Sequence, residues 1–144
     1  MLIQTAALGS LDSIVHQSIQ RLLHVSLGYD SPLAGQVFWL TFEYKNNTII
    51  GACCDVTSKK GVCLICNVAT DPRVRRRGLA TALLRFVLEH CRKNGWYVVR
   101  LSVRMTNEAA QRVYQQLGFR VESTNASGTH VIMGIDLSPP PLAK

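Results

Sequence analysis

Residues 62–84 read VCLICNVATDPRVRRRGLATALL, and the hydrophobic period changes inside them. Val62–Thr70 is apolar and β-branched on both parities, the pattern of a central strand in a covered sheet. Asp71-Pro72 stops that run, because proline brings no N–H to a ladder and restricts the residue before it. Four arginines then fall within five positions: Arg73, Arg75, Arg76 and Arg77. After Gly78 the apolar residues Leu79, Ala82, Leu83, Phe86, Val87 and Cys91 recur at threes and fours, which is helical spacing. Asn94-Gly95 supplies the C-terminal stop. A strand, a basic loop and a helix therefore follow one another, as in an α/β protein.

The flanks extend this pattern. LIQTA near the start is β-compatible, and Leu11–Leu23 carries apolar residues at helical spacing with Ser10 and Asp12 at the cap. Residues 37–45 and 48–55 read as a hairpin about Asn46-Asn47, and Ser58–Gly61 as the next turn. Downstream, residues 96–103 form a strand and Glu108–Leu117 a short helix with Asn107 at its start and Gly118 past its end. Phe119–Glu122 and Thr129–Leu137 make two last strands. The predicted order is β-α-β-β-β-α-β-α-β-β, an α/β sandwich with mixed pairing. Residues 1–137 are expected to form a single domain. A proline-rich tail, 138–144, follows, because three consecutive prolines continue neither helix nor strand.

Composition narrows the class. The chain has 144 residues, 47% of them hydrophobic, so global disorder is excluded. No apolar run approaches the roughly 18 residues of a spanning helix. The first residues lack the basic and apolar regions of a secretory signal. Together with five cysteines (Cys53, Cys54, Cys63, Cys66 and Cys91), an odd number, this predicts reduced thiols and a cytoplasmic setting. Cys63 and Cys66 form a C-x-x-C on a strand, where they would point to opposite faces. No metal site is expected. The net charge is +7, and nine of the 16 basic residues lie between Arg73 and Arg104, opposed there by Glu89 alone. The positive charge is therefore local.

The arginine loop leads into a helix N-terminus, whose unpaired N–H groups and partial positive charge suit an anion. Gly78 and Ala80 let backbone approach a ligand closely. Together these features describe a phosphate or pyrophosphate cradle, with a solvated basic turn as the alternative. No G-K-(S/T) and no G-x-G-x-x-G is present. In the second helix-bearing segment, Asn107 can cap, Ala109, Ala110, Val113 and Leu117 form a packed face, and Tyr114 sits at its edge.

R-R-R-G-L-A at 75–80 matches the (Q/R)-x-x-G-x-(G/A) cofactor motif of the GNAT N-acetyltransferase superfamily. N-x-x-A-x-x-x-Y-x-x-L-G-F at 107–119 matches its downstream motif, one helix and one strand later. On both motifs and the order of elements, the chain resembles this superfamily over residues 1–137. CNVATDPRVRRRGLATALL and LSVRMTNEAAQRVYQQLGF look most like the ribosomal-protein alanine N-acetyltransferases. The resemblance implies a mixed, mainly antiparallel sheet of six to seven strands flanked by helices. It implies acetyl-CoA as cosubstrate and a primary amine as acceptor, the acetyl group moving by direct attack. The pantetheine arm would pair with the backbone of Val68, Ala69 and Thr70. The pyrophosphate would rest on Arg75, Arg76, Arg77, Gly78, Leu79 and Ala80 and on the N–H of Thr81. Asn107 would contact the cofactor side, and Tyr114 would protonate the departing thiolate. Such transfer needs no enzyme nucleophile.

One position departs from the pattern. The alanine N-acetyltransferases carry a base glutamate where this chain has Ser102. Glu43, Asp55, His24 and His130 are candidates to replace it, and none is preferred. By the same resemblance, residues 25–36 and 122–130 would set acceptor specificity. Two other readings stand beside the enzyme. One is a non-catalytic acyl-CoA-binding module, favoured by Ser102 and opposed by Tyr114. The other is a nucleic-acid site, which lacks the interleaved aromatics of a stacking platform. The expected partners are acetyl-CoA and an amine, with no nucleic acid or membrane, on a monomer or homodimer.

Overall fold

A computed structural model describes residues 2–139. Seven strands belong to a mainly antiparallel sheet: β1 Leu2–Ala7, β2 Gln36–Lys45, β3 Thr48–Lys59, β4 Val62–Thr70, β5 Val98–Arg104, β6 Arg120–Thr124 and β7 His130–Asp136. The α-helices are α1 Ser13–Leu27, α2 Leu79–Lys93 and α3 Glu108–Gln116, with short 3-10 turns at Leu8–Ser10 and Pro72–Val74. The element order is the predicted one. The chain divides into two compact units. One holds the residues up to Thr57 together with Ile65–Val87, the other Ser58–Leu64 together with the residues from Leu88 onward. Of the tail expected over 138–144, residues 140–144 lie outside the described residues.

In the first unit the strands run in the order β1-β2-β3-β4. Asp12 caps α1 by accepting from Ile14 N at 2.9 Å and Val15 N at 3.4 Å. The helix continues past the predicted Leu23, because no breaker intervenes before Gly28, whose φ of 82° ends it. Ile19, Leu22 and Leu23 of α1 pack on Val37, Trp39, Ile49, Cys53 and Ala69. On the other parity of β2, Phe38 meets Phe86 of α2 edge-to-face, centroids 6.3 Å apart. Fully burying each such side chain stabilises by roughly 1.5–3 kcal/mol. Asn46 and Asn47 take φ of 53° and 57° in the hairpin turn, a conformation asparagine tolerates.

Two expectations need correcting. The strand buried on both faces is β3, whose residues Ile49–Val56 are all buried. In β4, Cys63 and Ile65 are buried while Leu64 and Cys66 are exposed. β3 also runs on to Lys59, so the turn contracts to Lys60 and Gly61, with φ of 53° and 78°.

In the second unit the order is β5-β7-β6. Val99, Leu101 and Val103 of β5 and Val131 and Met133 of β7 form its buried parity, with Phe119. β5 begins at Val98 rather than Trp96, because Trp96 N donates to Cys91 O at 2.9 Å and closes the C-terminus of α2. Cys63 is buried and Cys66 exposed, on opposite faces of β4 as their spacing predicts, and burial raises the Cys63 and Cys91 thiols, Cys91 to about 12.

Candidate functional site

The arginine loop is built from β3 and β4. Asp71 N donates to Gly51 O at 2.8 Å, tying the end of β4 to β3. Gly51 is required there, since a Cβ would stand 1.9 Å from Leu40 O. The buried Asp71 carboxylate accepts from Arg73 N at 2.9 Å, Nε at 3.0 Å and Nη2 at 2.8 Å. Those bonds to Arg73 hold its pKa below the ordinary 3.8. Arg73 is thus committed to the scaffold, and Val74, 5% exposed, anchors the loop from below.

Arg75, Arg76, Arg77 and Gly78 follow, all exposed. Arg75 Nη2 approaches Ser26 O at 3.5 Å and Ser26 Oγ at 3.4 Å. Arg77 lies over the Phe42 ring, 5.2 Å from its centroid. Phe42 sits at the register shift between Thr41 and Glu43, and such a bulge re-aims a side chain. Arg76 and Gly78 are left-handed, with φ of 64° and 73°. Gly78 O accepts from Ala82 N at 3.0 Å, so a glycine holds the cap position of α2. It has no side-chain acceptor to offer, and the first turn of α2 contains no acid. The amides of Leu79, Ala80 and Thr81 are therefore available to a ligand. Leu79 is buried, 2% exposed, so only its N–H can serve. A Cβ at Gly78 would meet nothing within 4 Å: the space beside the backbone is open.

Just upstream, Asn67 has φ of 55° inside β4, immediately before Val68, Ala69 and Thr70. Its Nδ2 donates to Asp55 Oδ1 and Oδ2 at 3.2 and 3.3 Å and to Pro32 O at 3.1 Å. Ser31 Oγ donates to Asn67 Oδ1 at 2.6 Å, and Ala34 N to Asp55 Oδ2 at 2.6 Å. Asp55 is 1% exposed. Burial raises its pKa against the bonds from Ala34 and Asn67. This network fixes residues 31–34 of the segment expected to set specificity.

In the second unit, Asn107 caps α3 by accepting from Ala110 N at 3.1 Å. Tyr114 is 7% exposed and meets Phe119 edge-to-face at 6.1 Å, so its ring is packed and not a solvated edge. Phe119 N donates to Tyr114 O at 3.0 Å where the chain reverses at Gly118. Ser102 is exposed on β5. Among the base candidates, Glu43 is exposed and Asp55 is the buried hub just described. His24 Nδ1 lies 2.8 Å from Asp30 Oδ1, and His130 Nδ1 2.8 Å from Thr129 Oγ1. Asn125 organises the β6–β7 turn through Ser127, Thr129 and His130. Sequence reasoning passed over Asn67, whose left-handed φ no local pattern announces, and Glu122. Among the described residues no cluster of His, Cys, Asp and Glu could hold a metal, and no helix is long and apolar enough to cross a membrane.

The sequence profile of the Acetyltransferase (GNAT) family matches residues 16–119. The fold is that of the ribosomal-protein-S18-alanine N-acetyltransferase from Escherichia coli, with a TM-score of 0.74 at 21% identity over 97% of both chains. It is also that of a GNAT family acetyltransferase from Elizabethkingia anophelis with acetyl-CoA bound, at 0.66 and 15%, over 94% of this chain and 97% of that one. The chain belongs to the acetyltransferase (GNAT) family. In sequence it is 42% identical over 53 residues to the bS18-alanine N-acetyltransferase of Escherichia coli K12, a match spanning 37% of this chain and 36% of that protein. A chloroplastic GCN5-related N-acetyltransferase 6 of Arabidopsis thaliana is 37% identical over 60 residues, 42% of this chain and 21% of the relative.

Proposed function

We propose that the protein is an acetyl-CoA-dependent N-acetyltransferase that moves an acetyl group to a primary amine by direct attack. The observation that carries the reading is the exposed Arg75–Arg77 loop leading into a glycine-capped helix, in a chain of this family. That loop suits a pyrophosphate: three unburied guanidinium groups, free first-turn amides, and open space beside Gly78. Acetyl-CoA would supply the activated thioester. Val68, Ala69 and Thr70 would offer backbone to its pantetheine arm. Asn107 would take the cofactor side, and Tyr114 would donate a proton to the leaving sulfur. The acceptor is a small-molecule amine or a peptide or protein amine. Five cysteines, none of them in a disulfide, support a reducing, cytoplasmic setting, with the protein as monomer or homodimer.

Ser102, a hydroxyl that cannot act as a carboxylate base, favours one alternative, a non-catalytic acyl-CoA-binding module. Two measurements test these readings. Isothermal titration should detect acetyl-CoA binding, and its absence refutes both. Release of free CoA across an amine panel should then be seen for the enzyme and not for the module. Tyr114→Phe should keep acetyl-CoA affinity and slow turnover by about 10²-fold; a variant as fast as wild type removes Tyr114 from the acid role.

A further inference from the structure

β6 contains one residue more than its pairing with β7 uses. Val121 pairs with Met133 and Ser123 with Ile132, so Glu122 is the extra residue of a bulge. A bulge re-aims a side chain, and here Glu122 extends across β7. Gly134 lies beneath it: a Cβ there would stand 2.6 Å from Oε1 and 2.9 Å from Oε2. On the far side, Arg100 of β5 donates from Nε to Oε1 at 2.8 Å. That bond engages one carboxylate oxygen and leaves the second for another donor. A bulge, a glycine and an arginine, on three strands, thus hold one carboxylate in one place.

That place is the open face of the second unit. Gly134 pairs with Arg100, Ile132 with Ser102 and His130 with Arg104, and alternation sets these six residues on one face. Ser102 and Arg104 are exposed, whereas the opposite parity is buried. The other charged or titratable groups of this face are Arg100, Arg104, Arg120, His130 and Asp136. Asp136 already accepts from Ser138 N and Oγ. It pairs with Val98, about 13 Å along the strand from Ser102. Elsewhere in the unit, Glu89 is bound to Arg92 on α2 and Glu108 lies in the first turn of α3. Glu122, held over Gly134 and bound to Arg100, is the carboxylate on this face nearer to Ser102, one pleat repeat or about 7 Å along the strands from its level.

We propose that Glu122 receives the protonated acceptor amine and takes its proton, and that Arg100 is a positioning residue for it; this rests on the acetyl-transfer reading above. An ammonium group has no lone pair, so it must meet an anion and lose a proton before attack. One proton passes from nitrogen to Glu122 and on to water. The freed lone pair forms the C–N bond at the thioester carbonyl. The C–S bond then breaks, and sulfur leaves with the electron pair and takes the proton of Tyr114. The new amide nitrogen sheds its second proton, which returns to Tyr114 through water.

Wild-type protein is first titrated with acetyl-CoA and assayed for CoA release with peptide α-amines, lysine peptides, polyamines and amino sugars. No acetyl-CoA binding, or binding without turnover on any amine, overturns the acetyl-transfer reading itself and this proposal with it. With an active wild type, Glu122→Gln should lower kcat/KM for the amine by about 10²-fold or more. The deficit should be largest where the amine is protonated and shrink as pH rises and free amine accumulates, and acetyl-CoA affinity should stay within about twofold. Gly134→Ala retains every ionisable group but occupies the space of the carboxylate, so it should reproduce the loss. Wild-type kcat/KM and pH profile in Glu122→Gln overturn the proposal. So does a parallel loss of acetyl-CoA affinity and thermal stability in both variants, which would make the ion pair a strut and nothing more.

Discussion

Replacing Asp55 by alanine tests whether the β4 segment expected to meet the cofactor is held from behind. The substitution removes the acceptor of Ala34 N, at 2.6 Å, and one of the two acceptor groups of Asn67 Nδ2, which keeps Pro32 O at 3.1 Å. A buried donor left without a partner costs about 1–3 kcal/mol, and relief of a buried charge offsets part of this. The expected net loss is about 2 kcal/mol, or roughly 4–8 °C in Tm for a chain of this size. Asp55→Asn separates shape from charge. One oxygen can still accept from Ala34, but the new NH2 faces Asn67 Nδ2, which Ser31 and Pro32 prevent from flipping, so about 1 kcal/mol is expected.

The two proteins should also differ with pH. Burial raises the Asp55 pKa above its ordinary 3.8, so the native state keeps the proton longer than the unfolded chain. Wild-type stability then falls as pH rises from about 4 through the raised pKa. Asp55→Asn lacks this titration, so the wild-type margin should be widest in acid and narrow toward neutrality. Urea unfolding followed by tryptophan fluorescence, with Trp39 in the adjoining core, measures both effects. An Asp55→Ala protein within 0.5 kcal/mol of wild type, or a margin that widens with pH, refutes the reasoning.

Asp71→Asn should show the opposite pH behaviour. Bonds from Arg73 hold the Asp71 pKa below 3.8, so the native contribution is present above that value. The Tm difference from wild type should therefore close as pH falls through the depressed pKa. Arg75→Ala with Arg77→Ala should weaken CoA binding by about 10- to 100-fold, the worth of one or two charge-assisted bonds, and flatten its salt dependence by titration calorimetry. Gly78→Ala meets no neighbour but has φ of 73°, so thermal melts should show a loss of about 1 kcal/mol. A maleimide should label one thiol of the native protein by mass spectrometry, Cys66, because Cys53, Cys54, Cys63 and Cys91 are buried; Cys66→Ser should leave none.

Elements with a strong local period were legible in the sequence. The α2 stripe ran from Leu79 to Cys91 as written, and Asn46-Asn47 announced its turn. Boundaries were missed where no residue punctuates them. Nothing between Leu23 and Gly28 stops a helix, and Val56 to Lys59 prolongs β3 for the same reason. The apolar character of Leu64 and Cys66 suggested a covered second face of β4, yet both are exposed. Hydrophobicity records what a residue tolerates, whereas burial depends on which elements stand opposite it, and a single strand does not encode that.

The same distinction separates the arginine loop from the Glu122 arrangement. The arginine loop is contiguous: residues 71–81 carry its cap, its charges and its glycine, so each could be read in place. Only the loss of Arg73 to Asp71 required coordinates. The Glu122 arrangement is distributed. Arg100 and Glu122 stand 22 residues apart and meet because β7 is inserted between β5 and β6. The register shift at Glu122 and the absent side chain at Gly134 complete the path. Strand order and register are properties of pairing, and a one-residue change of register would turn every side chain of β6 to the other face. Ser102 therefore announces in the sequence that a carboxylate is missing from β5, while the residue placed to replace it can be found only once the strands are paired.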